Sequence, residues 1–276
     1  VHFDQELTTF ELMLLITEIE GISEYGSGGL DHFLTGPLYM RTETGRLLMR
    51  DIYRVLPMAV LVTLFIAAIG FRNFTGPLLP AFSNILALSI TLGVFVLMGN
   101  QFNFITAILP AVIYVVGYAY SVHVITEFEL IHTQGQDKRE CVVKTLDGIA
   151  LPITVTAITT ALSFLSLTFS DIGSIQIFGL YAALGTCLAW LMSLVVVPAG
   201  LIVIKSSFRK VKTDKHKIST WLADFVVTYR ILILSAGFLI FLISIAGASK
   251  IEVSTDYLAN FRDDNPIHEN FRKTND

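Results

Sequence analysis

The stretch Ile231-Leu232-Ile233-Leu234-Ser235-Ala236-Gly237-Phe238-Leu239-Ile240-Phe241-Leu242-Ile243-Ser244-Ile245-Ala246-Gly247-Ala248-Ser249 carries no charge from end to end. A helix needs about 20 apolar residues to cross about 30 Å of hydrocarbon, and this segment has that length. The same reading extends upstream. From Gly148 to Ile204 the only charged side chain is Asp171, and from Val55 to Thr126 it is Arg72. Charged residues make up 15% of the chain and apolar ones 53%, whereas a soluble domain carries about 25% charge. A water-soluble fold does not leave such long stretches uncharged. The chain reads as a multi-span membrane protein.

Six segments qualify as spans: 55–71, 78–98, 104–127, 149–169, 177–204 and 231–249. The apolar segments place Pro57, Pro80 and Pro152 in first helical turns, where a missing N–H costs little. Pro110 and Pro198 fall deeper, where they would kink their helices. Orientation follows from the cations. Alternate loops hold Arg72, then Lys138, Arg139 and Lys144, then Lys205, Arg209, Lys210, Lys212, Lys215, Lys217 and Arg230; loops 99–103 and 170–176 hold none. The first set is therefore expected to be cytoplasmic, with residues 1–54 and 250–276 outside. Within 214–228, Ile218, Trp221, Leu222, Phe225 and Val226 recur at i, i+3, i+4, i+7 and i+8 behind a run of lysines. This pattern fits an amphipathic helix lying along the inner interface, or a helix packed on a soluble partner.

The outer segments read as edges of folded domains. Residues 4–20 are helix-like, 33–40 form a short strand broken at Gly36-Pro37, 43–54 form a helix, and 251–255 alternate as a strand does. The expected fold is an all-α polytopic membrane bundle of about six transmembrane helices, with fragments of α/β extracytoplasmic domains at both ends. The chain begins with Val1 and stops in Lys273-Thr274-Asn275-Asp276, and it reads as a piece of a longer protein.

The chemistry-bearing helix is 104–127. At about 100° per residue, Tyr120, His123 and Glu127 share a face, while Tyr114 and Tyr118 point away. Ionisable groups within a span are costly and usually face protein or water. The three residues are thus candidates for a proton relay or polar gate. The competing reading is that Tyr120 and His123 merely hydrogen-bond between helices and Glu127 sits among headgroups. In 149–169 the hydroxyls of Thr156, Thr159, Thr160 and Ser163 are candidates for a hydrated path, although such groups often only bond their own backbone. Gly117, Gly179, Ala183 and Gly185 are candidates for close helix packing.

Soluble-enzyme signatures are missing. There is no phosphate loop, no His-Glu-x-x-His, no Cys-x-x-Cys and no Gly-x-Ser-x-Gly, so neither an enzyme, a metal nor a cofactor is expected. A net charge of −4 gives no bias towards nucleic acid.

Several stretches, taken in order, resemble the resistance–nodulation–division (RND) exporters. The branch is that of the mycobacterial large membrane proteins (MMPL), hopanoid and sterol transporters, and Patched. They are Gly70 to Pro80, Gly117 to His123, Leu151 to Leu167, and Phe178 to Gly185. The resemblance spans roughly residues 30–260. It implies that 1–54 ends a first extracytoplasmic, porter-like domain, and that 55–204 is a five-helix bundle similar to the sterol-sensing domain. It also implies that 205–230 is a cytoplasmic linker, 231–249 opens a second half, and 250–276 starts a second outer domain. Proton-driven members of the branch carry aspartate in a Gly-x-Asp-Tyr pattern. Here Gly117 and Tyr120 match, but Ala119 stands at the aspartate position.

The resemblance implies a multi-pass inner-membrane exporter of a hydrophobic or lipid-like substrate, driven by the proton gradient. Its partners would be the bilayer, the substrate and the missing second half of the chain, with a homo-oligomer left open. The rival is a non-transporting, sterol-sensing-like regulator or lipid-binding scaffold, which the absent aspartate favours.

Overall fold

A computed structural model describes residues 18, 37–71, 75–132, 137–204 and 216–248. Every regular element among them is a helix: α1 (Pro37–Phe71), α2 (Thr75–Leu97), α3 (Leu109–Ile131), α4 (Lys138–Ser166), α5 (Gly173–Val203), α6 (His216–Thr228) and α7 (Arg230–Ala248). Short 3-10 turns precede α3 at Thr106–Ile108 and follow α4 at Leu167–Phe169. All of these helices except α6 are long and apolar enough to cross a membrane. The chain is a multi-pass membrane protein.

The six spans fall where the uncharged segments are, but several ends differ. The helix expected over 43–54 is continuous with the first span. The joined helix is 35 residues long and runs unbroken from Pro37, so residues 37–40 are helical rather than part of a strand. Proline at a first helical position leaves no donor unsatisfied and has its φ preset. Pro57, Pro80 and Pro152 consequently lie inside their helices, not in first turns. Pro110 reverses in the other direction. The chain turns at residues 104–108, and Pro110 sits in the first turn of α3. Hydropathy marks where lipid begins, whereas helix ends are set by caps and turns. No strand occurs among the described residues. The strand at 251–255 and most of the segment 4–20 lie outside them.

The chain divides into two units, residues 1–210 and 211–276. In the first, α5 is central and packs on α2, α3 and α4, while α1 packs on α2 and α3. Its apolar core joins Val124, Ile125 and Phe128 of α3 to Val197 and Leu201 of α5. A second cluster gathers Leu88 and Phe95 of α2 with Ile113 and Tyr181. α4 begins with an Asp137 cap that accepts the Arg139 N–H at 3.2 Å. The adjacent Lys144–Glu140 pair, 2.7 Å apart, is exposed, so solvent screens it and it adds little to stability.

The turn between α2 and α3 is held by side chains. Gly99 has φ +77°, a conformation that closes the end of α2 and that glycine adopts without Cβ strain. The Asn100 amide donates to Phe95 O at 3.2 Å and to Tyr181 Oη at 2.8 Å. Asn103 Oδ1 accepts the N–H groups of Ile105 and Thr106, both at 3.0 Å, and its amide donates to Ser174 Oγ at 3.1 Å. Asn103→Ala is expected to cost about 0.5–2 kcal/mol, the range for a lost helix cap, measured as a lower unfolding temperature in detergent.

In the second unit, Trp221, Phe225 and Tyr229 stack along one exposed face of α6 and its C-terminal turn, with ring centroids 5.8 and 5.1 Å apart. Trp221 and Phe225 belong to the apolar pattern read from the sequence, and Tyr229 extends that face by one turn.

Candidate functional site

The polar centre of the first unit is built from α2, α3 and α5. Asn84 on α2 is 1% exposed. Its amide donates to Pro80 O at 2.8 Å and to Ser121 Oγ on α3 at 3.2 Å. Its Oδ1 is buried without a hydrogen-bond partner, as is the hydroxyl of neighbouring Ser83. Leaving such a group unpaired costs about 1–3 kcal/mol. Asn84 fits only because the backbone opposite is bare. A Cβ on Gly117 would run into Asn84 Oδ1 and would stand 2.5 Å from the Ala189 Cβ on α5. Three helices therefore approach around one amide.

The residues proposed for a relay do not form one chain of contacts. Tyr120 is buried, and its hydroxyl makes no hydrogen bond of good geometry, though Thr160 and Cys187 are its neighbours. His123 lies on the exposed side of α3. Glu127 is half-buried and reaches α4 at Gly148, where a Cβ would be 3.5 Å from its Oε1. Tyr120 thus looks into the bundle, His123 out of it, and Glu127 along the groove between α3 and α4. A helix face about 60° wide is enough to separate a buried position from an exposed one when neighbours pack on one side only.

Tyr114 and Tyr118 do point the other way. The Tyr114 hydroxyl pairs with Thr63 of α1 at 3.2 Å, and Tyr118 donates to Pro77 O at 3.4 Å.

The hydroxyls of α4 bond their own helix. Thr156 donates to Pro152 O at 2.9 Å, Thr159 to Val155 O at 3.1 Å, Thr160 to Thr156 O at 2.8 Å and Ser163 to Thr159 O at 2.8 Å. Thr156, Thr159 and Ser163 are exposed and Thr160 is half-buried. Thr154 also reaches another helix: its hydroxyl accepts the Trp190 indole N–H at 3.0 Å.

The small residues sit at close approaches. Gly179, Ala183 and Gly185 are buried on α5. A Cβ at Gly179 would be 2.6 Å from the Phe164 carbonyl oxygen, and one at Gly185 would be 2.6 Å from the Ile113 Cγ1. Among the described residues there is no group of three or more His, Cys, Asp or Glu side chains able to hold a metal ion.

Helical periodicity does not mark Asn84. The signal that points to it is a carboxamide in the middle of an otherwise apolar span, facing a glycine on the next helix.

A family model described as the MMPL family matches residues 16–230. No curated protein matches the chain.

Proposed function

Given that the chain belongs to the MMPL family, we propose that it is the membrane part of an RND-type transporter of the cell inner membrane, exporting a hydrophobic or lipid-like substrate with energy from the proton gradient. The observation that carries this reading is the family match, which extends across all of the first unit's five spans. A core that holds a buried polar junction within apolar helices supports it as well. Such groups are expensive in a bilayer and are usually retained for a task.

Ala119 occupies the place where proton-driven relatives carry a carboxylate. Coupling in this half then falls to His123, which is nearer to that position than any carboxylate on α3, with Tyr120 one turn away on the buried side. On α4, Thr160 neighbours Tyr120.

The test is vectorial movement. The full-length protein is reconstituted in liposomes, a pH gradient is imposed, and transfer of a fluorescent lipid analogue is followed. Gradient-dependent transfer is expected, and His123→Ala is expected to slow it by about an order of magnitude, equivalent to about 1.4 kcal/mol of barrier. Unchanged gradient-linked transfer in that variant removes His123 from the coupling. Lipid binding without any transfer overturns the transporter reading in favour of a lipid-binding regulator.

A further inference from the structure

The apolar face of α6 is uncovered. Trp221, Leu222, Phe225 and Val226 are all exposed, as is Tyr229 in the turn that follows. The stacked rings run along one side of the helix. The one acid of α6, Asp224, lies about 100° round the helix from Phe225. Only Tyr229 separates α6 from α7, which is long and apolar enough to cross a membrane. The aromatic face therefore starts where the chain enters the bilayer, and at 1.5 Å per residue all of it lies within about 20 Å of that point. An exposed apolar face of this kind marks an interaction surface.

The stretch just before the rings supplies the charge. Residues 205–217 hold Lys205, Arg209, Lys210, Lys212, Lys215 and Lys217 against one acid, Asp214. Cations beside a span are enough to set its orientation, but orientation does not require an exposed aromatic face behind them. A basic run followed by such a face suits an anionic bilayer surface. The rings enter the boundary between headgroups and acyl chains, and each cation near anionic lipid strengthens binding about fivefold. A groove on a soluble protein would bury the same rings without needing the cations.

We propose that α6 docks on the anionic phospholipid surface of the leaflet beside it, with Trp221, Phe225 and Tyr229 among the headgroups and the preceding cations over the lipid phosphates. The segment that joins the two units of the chain is then held by the charge of that leaflet, and a leaflet poor in anionic lipid releases it. This docking does not rest on the transport reading, because it is measured without gradient or substrate.

The experiment is amide hydrogen exchange of the full-length protein in nanodiscs of phosphatidylcholine alone, or of phosphatidylcholine with an equal part of phosphatidylglycerol. Peptides covering 216–228 are followed, with those of α5 as the internal reference. With phosphatidylglycerol, exchange in 216–228 is expected to be at least about tenfold slower, less than the combined effect of two cations, and exchange in α5 unchanged. The combined replacement Lys210→Gln, Lys212→Gln, Lys215→Gln and Lys217→Gln is expected to bring the ratio between the two lipids to about one. Trp221→Gln with Phe225→Gln, which introduces good helix formers, is expected to speed exchange in both lipids. Equal exchange in the two lipids overturns the proposal, whether fast or slow. A ratio that survives the lysine replacements overturns it too, as does protection that survives loss of the two rings.

Discussion

Gly117→Ala is expected to destabilise the bundle. The new carbon would collide with Asn84 Oδ1 and lie 2.5 Å from the Ala189 Cβ, where carbon atoms rest at about 3.5–4.0 Å. Asn84 cannot step aside freely, since its amide is tied to Pro80 O at 2.8 Å and Ser121 Oγ at 3.2 Å. Ala189 cannot move without α5. Overpacking of this kind costs about 1–3 kcal/mol, while alanine's better helix propensity returns about 1 kcal/mol. Thermal unfolding in detergent measures the difference, and Gly117→Val is expected to fall lower still. The cause is checked by a double-mutant cycle. In an Asn84→Ala background the Gly117→Ala penalty is expected to shrink, because one of the two obstacles is gone. A penalty of the same size in both backgrounds would mean that Ala189 alone resists the methyl group.

The second large effect separates two glycines on the same helix that the sequence makes look alike. Gly179→Ala is expected to cost about 1–3 kcal/mol, because the obstacles are the Phe164 carbonyl oxygen at 2.6 Å and the Leu167 Cβ at 2.7 Å. Phe164 is in the last turn of α4 and Leu167 in the 3-10 turn after it, so both can yield only if that turn moves. Gly185→Ala meets the Ile113 side chain instead, whose terminal atoms can change rotamer at a cost of about 0.5–1.5 kcal/mol. That cost is largely offset by helix propensity. Unfolding temperatures of the two variants in the same detergent decide the matter. Equal losses would mean that Ile113 is as immovable as the backbone, and a larger loss at Gly185 would contradict the packing described for Gly179.

Much of the architecture is legible without coordinates. The uncharged runs locate all six spans, because the absence of water in a bilayer penalises charge at every position of a span. The ends are less legible. Pro57 lies inside α1 and Pro110 in the first turn of α3, the reverse of what hydropathy alone suggests. The reason is that α1 continues as a helix from Pro37 through polar residues, while Asn103 and Gly99 stop the chain from being helical between α2 and α3. The site divides in the same way. Placing Tyr120 opposite Tyr114 and Tyr118 needs only 3.6 residues per turn. That His123 faces outward while Tyr120 is 4% exposed depends on where α4 and α5 stand.

Composition and periodicity determined that six segments among the described residues are long and apolar enough to cross a membrane, and which residues share a helix face. Both follow from the solvent and the helix geometry, which act on each segment separately. Tertiary structure decided which of the small residues are indispensable and that Asn84 is the polar centre. These depend on the meeting of side chains far apart in the chain, such as Asn84, Gly117 and Ala189. A one-dimensional pattern carries no term for that distance.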